Sequence, residues 1–289
     1  MTKVQSEERR SAALLLGPAV LLFIGIGVAP LLMTILLSFN GWHATTGIDP
    51  SISFRNYADI LSDGYFAQIF LRTLWIATAT TVICILIGAP EAYVLRRMSQ
   101  PWRSIFLMVI ITPLLISVIA RTLGWAMLLN GNGLVSTALQ GAGLSSRPVS
   151  LMFTQTGVII ALVHVLVPFM VLSVWSALSR MDRSAEGAAL SLGASQFTVF
   201  RRIVLPQALP GILSGAVIVF TLAASAFATP AIIGGRRLKV VATEAYDEFL
   251  HSLNWPLGAA IAVLLLIGIV TVVVGCNRWI ERRYATVFQ

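Results

Sequence analysis

Long apolar runs separated by short basic clusters dominate this chain. Six stretches hold the roughly 20 mostly apolar residues that a helical membrane crossing needs. They run from about Ser11 to Phe39, Phe70 to Leu95, Ser104 to Leu129, Thr154 to Leu178, Pro210 to Ile233 and Leu257 to Asn277. Backbone groups inside hydrocarbon must be satisfied within their own segment, so these runs predict helices and not open strands. Pro30, Pro113 and Pro168 fall inside them and are expected to be tolerated, as prolines in membrane helices are. Abundant Gly, Ala, Ser and Thr let neighbouring helices approach closely. The predicted fold class is all-α: a polytopic membrane bundle of six transmembrane helices, with residues 1–289 as one domain.

Composition supports a hydrocarbon solvent. Of 289 residues, 57% are hydrophobic and 11% charged, against about 25% charged in a soluble domain. The net charge of +8 would suggest nucleic acid in a soluble protein. Here the basic residues sit in small clusters between apolar runs, which is a topology signal, and no nucleic-acid partner is expected. With the N-terminus inside, thirteen basic residues face the cytoplasm: Lys3, Arg9, Arg10, Arg96, Arg97, Arg103, Arg180, Arg183, Arg201, Arg202, Arg278, Arg282 and Arg283. Six face outward: Arg55, Arg72, Arg147, Arg236, Arg237 and Lys239. That bias predicts a cytoplasmic (inner) membrane protein with both termini inside. The polar start, Met1 to Arg10, precedes an apolar run too long for a signal core, so an uncleaved first span is expected. Cys84 and Cys276 have no metal-ligand or disulfide spacing and are expected to act as small buried hydrophobes.

The connections are unequal. Outer loops are expected at about Asn40–Ile69, Asn130–Phe153 and Gly234–Pro256, and a short inner turn at Arg96–Arg103. The inner segment of about 181–209 does not have a loop's composition. Ser184 to Leu192 is rich in Ala and Leu and predicts a helix, with Ser184 as its N-cap. Gly193 supplies a turn or C-cap. Ser195 to Val204 predicts a second helix with Val199, Phe200, Ile203 and Val204 at helical spacing, closed by Pro206 and Pro210 before the fifth span. Two short amphipathic helices with a glycine elbow need a partner for their apolar face. The bilayer interface and a groove in another subunit both fit.

This segment resembles the EAA loop of permeases in binding-protein-dependent ABC importers. The family pattern is E-A-A, three residues, Gly, nine residues, then I-x-L-P. Ala188, Ala189, Gly193 and Ile203-Val204-Leu205-Pro206 match it at that spacing. One position departs: Gly187 stands where the family glutamate precedes the alanine pair, and Glu186 lies one residue earlier. L-L-L-G-P-A at Leu14, R-N-Y at Arg55, L-L-N-G-N-G-L at Leu128, V-P-F-M-V-L at Val167 and N-W-P-L-G-A-A at Asn254 look like the spermidine/putrescine branch. The resemblance implies the type I ABC importer permease fold. It also implies two ATPase subunits, a second permease chain (a paralogue in this branch) and an extracytoplasmic solute-binding protein. ATP and Mg would bind the ATPase partners, and no cofactor this chain. The coupling residues it points to are Glu186, Gly187, Ala188, Ala189, Leu192, Gly193, Phe200, Ile203, Leu205 and Pro206. Relatives in the family carry polyamines, opines and other small organic solutes.

The chain cannot itself be the ATPase, because Lys3 and Lys239 are its only lysines and neither follows the glycine of a Walker A loop. Tyr246, Asp247, Glu244 and Trp255 offer carboxylates and aromatic faces to a polyamine; docking a binding protein or facing water are the alternatives. Glu91 is a possible cation waypoint, with pairing to Arg96 and Arg97 the more ordinary expectation. Arg121, inside the third span, is expected to pair with a carboxylate or helix-end carbonyls, with a substrate-path role as the alternative, and His164 to be a hydrogen-bonded packing residue, with proton coupling as the alternative. An ion-coupled secondary transporter would show inverted repeats and buried midplane acids. An intramembrane enzyme would need paired catalytic groups. Neither pattern is present.

Overall fold

A computed structural model describes residues 17–18, 20–181 and 184–284, with side chains to Arg278. Lys3, Arg9, Arg10, Arg183 and the side chains of Arg282 and Arg283 lie outside the described residues. The helices are α1 (Val20–Leu37), α2 (Arg55–Ser62), α3 (Gly64–Arg97), α4 (Trp102–Leu115), α5 (Val118–Leu129), α6 (Leu134–Gly141), α7 (Gln155–Ser179), α8 (Ser184–Ser191), α9 (Gln196–Ala224), α10 (Val241–Leu250) and α11 (Trp255–Tyr284). A hairpin of β1 (Asn40–His43) and β2 (Gly47–Ile52) follows α1. Among the described residues five helices, α1, α3, α7, α9 and α11, are long and apolar enough to cross a membrane.

The third span is broken. Where one helix was expected over Ser104–Leu129, α4 and α5 meet at a 96° bend. Ile116 and Ser117 are extended there, with ψ of 139° and 133°. Pro113, near the end of α4, has no N–H for its ladder bond, and the helix stops two residues later. With 14 residues, α4 rises about 21 Å, short of a hydrocarbon core about 30 Å thick. Pro168 behaves differently: it is buried inside the unbroken α7, where surrounding side chains hold the helix through the missing bond.

The fifth span also departs from expectation. Pro206 and Pro210 do not separate a surface helix from it. A π turn at Phe200–Val204, in which the Leu205 N–H donates to the Phe200 carbonyl, carries Gln196–Val199 straight into Leu205–Ala224. Widening the turn shifts the register just before Pro206, which sits in the first turn of the resumed α-helix, where a donor is dispensable. The span ends at Ala224 and not at Ile233, which lies in a separate turn at Pro230–Gly234. All three expected outer loops hold helices: α2, α6 and α10.

The described residues divide into two compact units. One combines the residues up to Phe66 with Glu244–Leu266. In it, Asn56 Nδ2 donates to the Ser38 and Asn40 carbonyls at 3.0 and 2.9 Å, and the Tyr57 and Ser38 hydroxyls stand 2.6 Å apart. The R-N-Y motif therefore fastens α2 to the end of α1. In N-W-P-L-G-A-A, Asn254 Oδ1 accepts from the Leu257 N–H at 3.2 Å and caps α11. Gly258 lets Phe249 lie close, since a Cβ there would come within 2.9 Å of its ring.

The other unit spans Ala67–Thr243 and the residues from Ile267. α7 is its axis, burying Val158, Ala161, Leu166, Met170, Val171 and Val174. α9 packs along it more extensively than any other helix. The approach depends on small residues: a Cβ on Gly211 would meet the Ala177 Cβ at 2.6 Å, and one on Gly88 of α3 would meet Met170 at 2.9 Å. Cys84 is buried as expected. Cys276 is exposed instead, in an apolar groove with Val82, Leu213 and Phe220.

Candidate functional site

The segment after α7 forms the predicted helix–elbow–helix. α8 is eight residues long and begins at Ser184, so this residue is helical. α8 ends in a Schellman-type cap: the Ala194 N–H donates to the Ala189 carbonyl at 3.1 Å and the Gly193 N–H to the Leu190 carbonyl at 3.0 Å. Gly193 has φ +84°, the left-handed conformation such a cap requires and L side chains resist. The chain then restarts at Ser195, whose Oγ accepts from the Thr198 N–H at 3.2 Å and caps α9.

The two sides of this elbow differ. Leu192 is 88% exposed and Phe197 72%, with Gly187, Ala188 and Leu190 also exposed. Val199 and Val204 are buried, and Ala189, Phe200 and Ile203 pack partly against the core. Leu205 is at the margin of exposure and Pro206 half-buried. The elbow is thus anchored by one face and presents apolar groups on the other.

Glu186 supplies the anchor's polar half. Its Oε1 accepts from Arg96 Nη1 at 2.6 Å, and its Oε2 from Arg97 Nη2 at 3.3 Å. Both arginines lie in the last turn of α3. Arg96 is 5% exposed, and its Nη2 also donates to the Met181 carbonyl at 3.4 Å. The Arg97 guanidinium lies 4.6 Å from the Tyr93 ring, which meets Phe200 edge-on at 5.3 Å. A helical step of about 100° separates Glu186 from Gly187. A Cβ on Gly187 would meet nothing within 4 Å, so the carboxylate one residue early turns inward while the usual family position faces open space.

That pairing corrects the expectation for Glu91. Arg96 and Arg97 bind Glu186, and Glu91, half-buried on α3, makes no ion pair among the described residues. Arg121 is corrected too: its Nε and Nη1 are buried with no hydrogen-bond partner. The helix it packs beside, α7, carries no carboxylate. His164 is a packing histidine as expected, its Nδ1 accepting from the Trp125 indole N–H at 3.1 Å.

The four residues expected on an outer substrate path share one unit, but on helices and not on a loop. Glu244, Tyr246 and Asp247 are on α10, and Trp255 opens α11. Thr243, in the first turn of α10, accepts from the Val240 N–H at 2.9 Å. Glu244 is buried, Asp247 stands 3.0 Å from His251 Nδ1, and Tyr246 and Trp255 are exposed. Glu91 belongs to the other unit.

Residues 85–286 match the family model described as binding-protein-dependent transport system inner membrane component. The chain belongs to this family. As ABC importer permeases, its members are multi-pass inner-membrane subunits that lack an ATPase site of their own and work with ATPase subunits and a periplasmic binding protein. Among curated relatives, the spermidine/putrescine transport system permease PotB of Haemophilus influenzae is 32% identical over 238 residues, covering 82% of this chain and 83% of that one. PotB of Escherichia coli is 31% identical over the same length, covering 82% and 86%. In fold, the chain resembles a subunit of a bacterial ABC transporter that imports the acidic polysaccharide alginate. The TM-score is 0.80 at 17% identity, covering 97% of this chain and 99% of that one. The fold is therefore that of type I ABC importer permeases.

Proposed function

We propose that this permease carries a polyamine such as spermidine or putrescine, driven by a pair of ATPase subunits, one of which docks on the α8–Gly193–α9 elbow. The observation that carries the docking is the elbow's two-sided build: Leu192 and Phe197 exposed, Glu186 fastened to Arg96 and Arg97. An apolar knob on a rigid base transmits the closure of the ATPase pair into the bundle. The elbow face is cytoplasmic, with both termini on that side, which agrees with the basic residues clustered there. ATP and Mg act on the ATPase partners.

One coupling elbow per chain implies a second permease subunit, taken to be a paralogue as in the branch this chain resembles. An extracytoplasmic binding protein delivers the solute. Support for the polyamine is the likeness to PotB over 82% of the chain. Tyr246, Asp247, Glu244 and Trp255 are the outer groups suited to an organic cation, and Glu91 is a waypoint near the Arg96 end of α3. The test is uptake of labelled spermidine by proteoliposomes holding the assembled importer, its binding protein and enclosed ATP. Accumulation that needs ATP and is competed by putrescine supports the reading. ATP-driven uptake of another solute with none of spermidine would reassign the substrate, and uptake driven by an ion gradient without ATP would overturn the import mechanism.

A further inference from the structure

At the Arg96 end of the bundle, between α3, α4 and α7, lies a cavity of about 360 Å³ lined by Arg96, Arg103, Trp175, Ser179 and Met181. At about 30 Å³ per water, that is room for much more than a single ion. Among the described residues its lining contains two guanidinium groups and no carboxylate. Arg96 directs Nη1 to Glu186 and Nη2 to the Met181 carbonyl. Glu186 is already shared between Arg96 and Arg97, so among the described residues it leaves the charge of Arg103 uncompensated. The half-buried Arg103 guanidinium makes no hydrogen bond or ion pair among the described residues, and neither does the Trp175 indole N–H. The Ser179 hydroxyl donates to the Ser176 carbonyl at 2.9 Å and presents its oxygen.

The depth of the cavity narrows the choice of anion. Arg96 is in the last turn of α3, Arg103 in the first turn of α4, and Trp175 and Ser179 in the last turns of α7. Three apolar helices end there, at the level where hydrocarbon gives way to headgroups, and the exposed Trp102 stands beside it as an interfacial indole. Basic pockets between helix ends at this level suit lipid phosphates, and a guanidinium matches phosphate oxygens with two parallel N–H donors.

We propose that this cavity binds the phosphate of an anionic phospholipid headgroup, with Arg103 as its principal ligand. The occupant sits against Arg96, the arginine that holds the coupling helix through Glu186, so the lipid lies at the root of the elbow.

The test uses the full chain in its native assembly, in nanodiscs of phosphatidylcholine mixed with phosphatidylglycerol, with retained lipid read by native mass spectrometry. Wild type is expected to retain phosphatidylglycerol in preference to phosphatidylcholine. Arg103→Gln is expected to lower that retention about tenfold, the scale of one charge-assisted hydrogen bond, and Arg103→Lys to keep the anionic preference. Equal retention of the two lipids by wild type overturns the proposal, as does an unchanged preference in R103Q. Displacement of the lipid by inorganic phosphate would give the cavity to the free anion and overturn the lipid assignment.

Discussion

Arg96 Nη1 and Glu186 Oε1 stand 2.6 Å apart, joining the end of α3 to the first turn of α8. The two side chains are 6% and 12% exposed. A pair this enclosed contributes little over an apolar replacement but costs a great deal when only one partner is removed. Glu186→Met is therefore expected to destabilise the chain by about 3 kcal/mol, since it takes the carboxylate from the buried Arg96 Nη1. The double replacement Arg96→Met with Glu186→Met should return to within about 1 kcal/mol of wild type. Thermal unfolding in detergent across the double-mutant cycle checks both values. Additive losses would show that the two residues act separately.

Gly193 tests the proposed coupling role of the elbow as well as its stability. At φ +84°, Gly193→Ala should cost about 1 kcal/mol. Gly193→Pro also removes the N–H that donates to Leu190 and should distort the elbow. Its expected effect is continued ATP hydrolysis with solute uptake lost. The ratio of solute imported to ATP hydrolysed in proteoliposomes measures this, and a wild-type ratio would show that elbow direction is not transmitted.

The exposed face can be tested without disturbing the core. Leu192→Asp and Phe197→Asp alter groups that the chain leaves in solvent, so the melting temperature should move by less than the equivalent of about 0.5 kcal/mol. Affinity for the ATPase should nonetheless fall by about 2 kcal/mol or more, the scale of a buried interface anchor. Surface plasmon resonance on detergent-solubilised permease gives that value.

Helix approach in the core gives a fourth test. A side chain on Gly211 meets Ala177 and the backbone at Ser173. Gly211→Leu should cost about 3 kcal/mol and sharply reduce folded protein by size-exclusion analysis. Gly187→Ala, which meets open space, should not.

How much of this was legible depends on the range of the forces involved. Apolar length alone located five of the six expected spans, though not the ends of the fifth, because each helix must satisfy its own backbone wherever it packs. The elbow at Gly193 was also legible, since a helix cap is a local event. Pro113 and Pro168 look equivalent in sequence, yet one precedes a 96° break and the other sits inside an unbroken helix; the difference lies in what packs around them. The π turn that carries α9 past Pro206 has no sequence pattern of its own. The partner of Glu186 was hidden for a simpler reason: Arg96 is ninety residues away, and the nearer Glu91 was the obvious match on one helix. A hint was available in helical phase, which points Glu186 and Gly187 to different sides.

The most direct measurement is affinity purification of the tagged chain from its native membrane in mild detergent, with co-purifying proteins identified by mass spectrometry. Import driven by a docked ATPase predicts recovery of a Walker-type ATPase and a second six-span protein with wild type, and loss of the ATPase with Leu192→Asp while the second permease stays bound. Recovery of this chain alone, or of an ATPase that Leu192→Asp and Phe197→Asp leave in place, would contradict the assignment of the elbow as the coupling site.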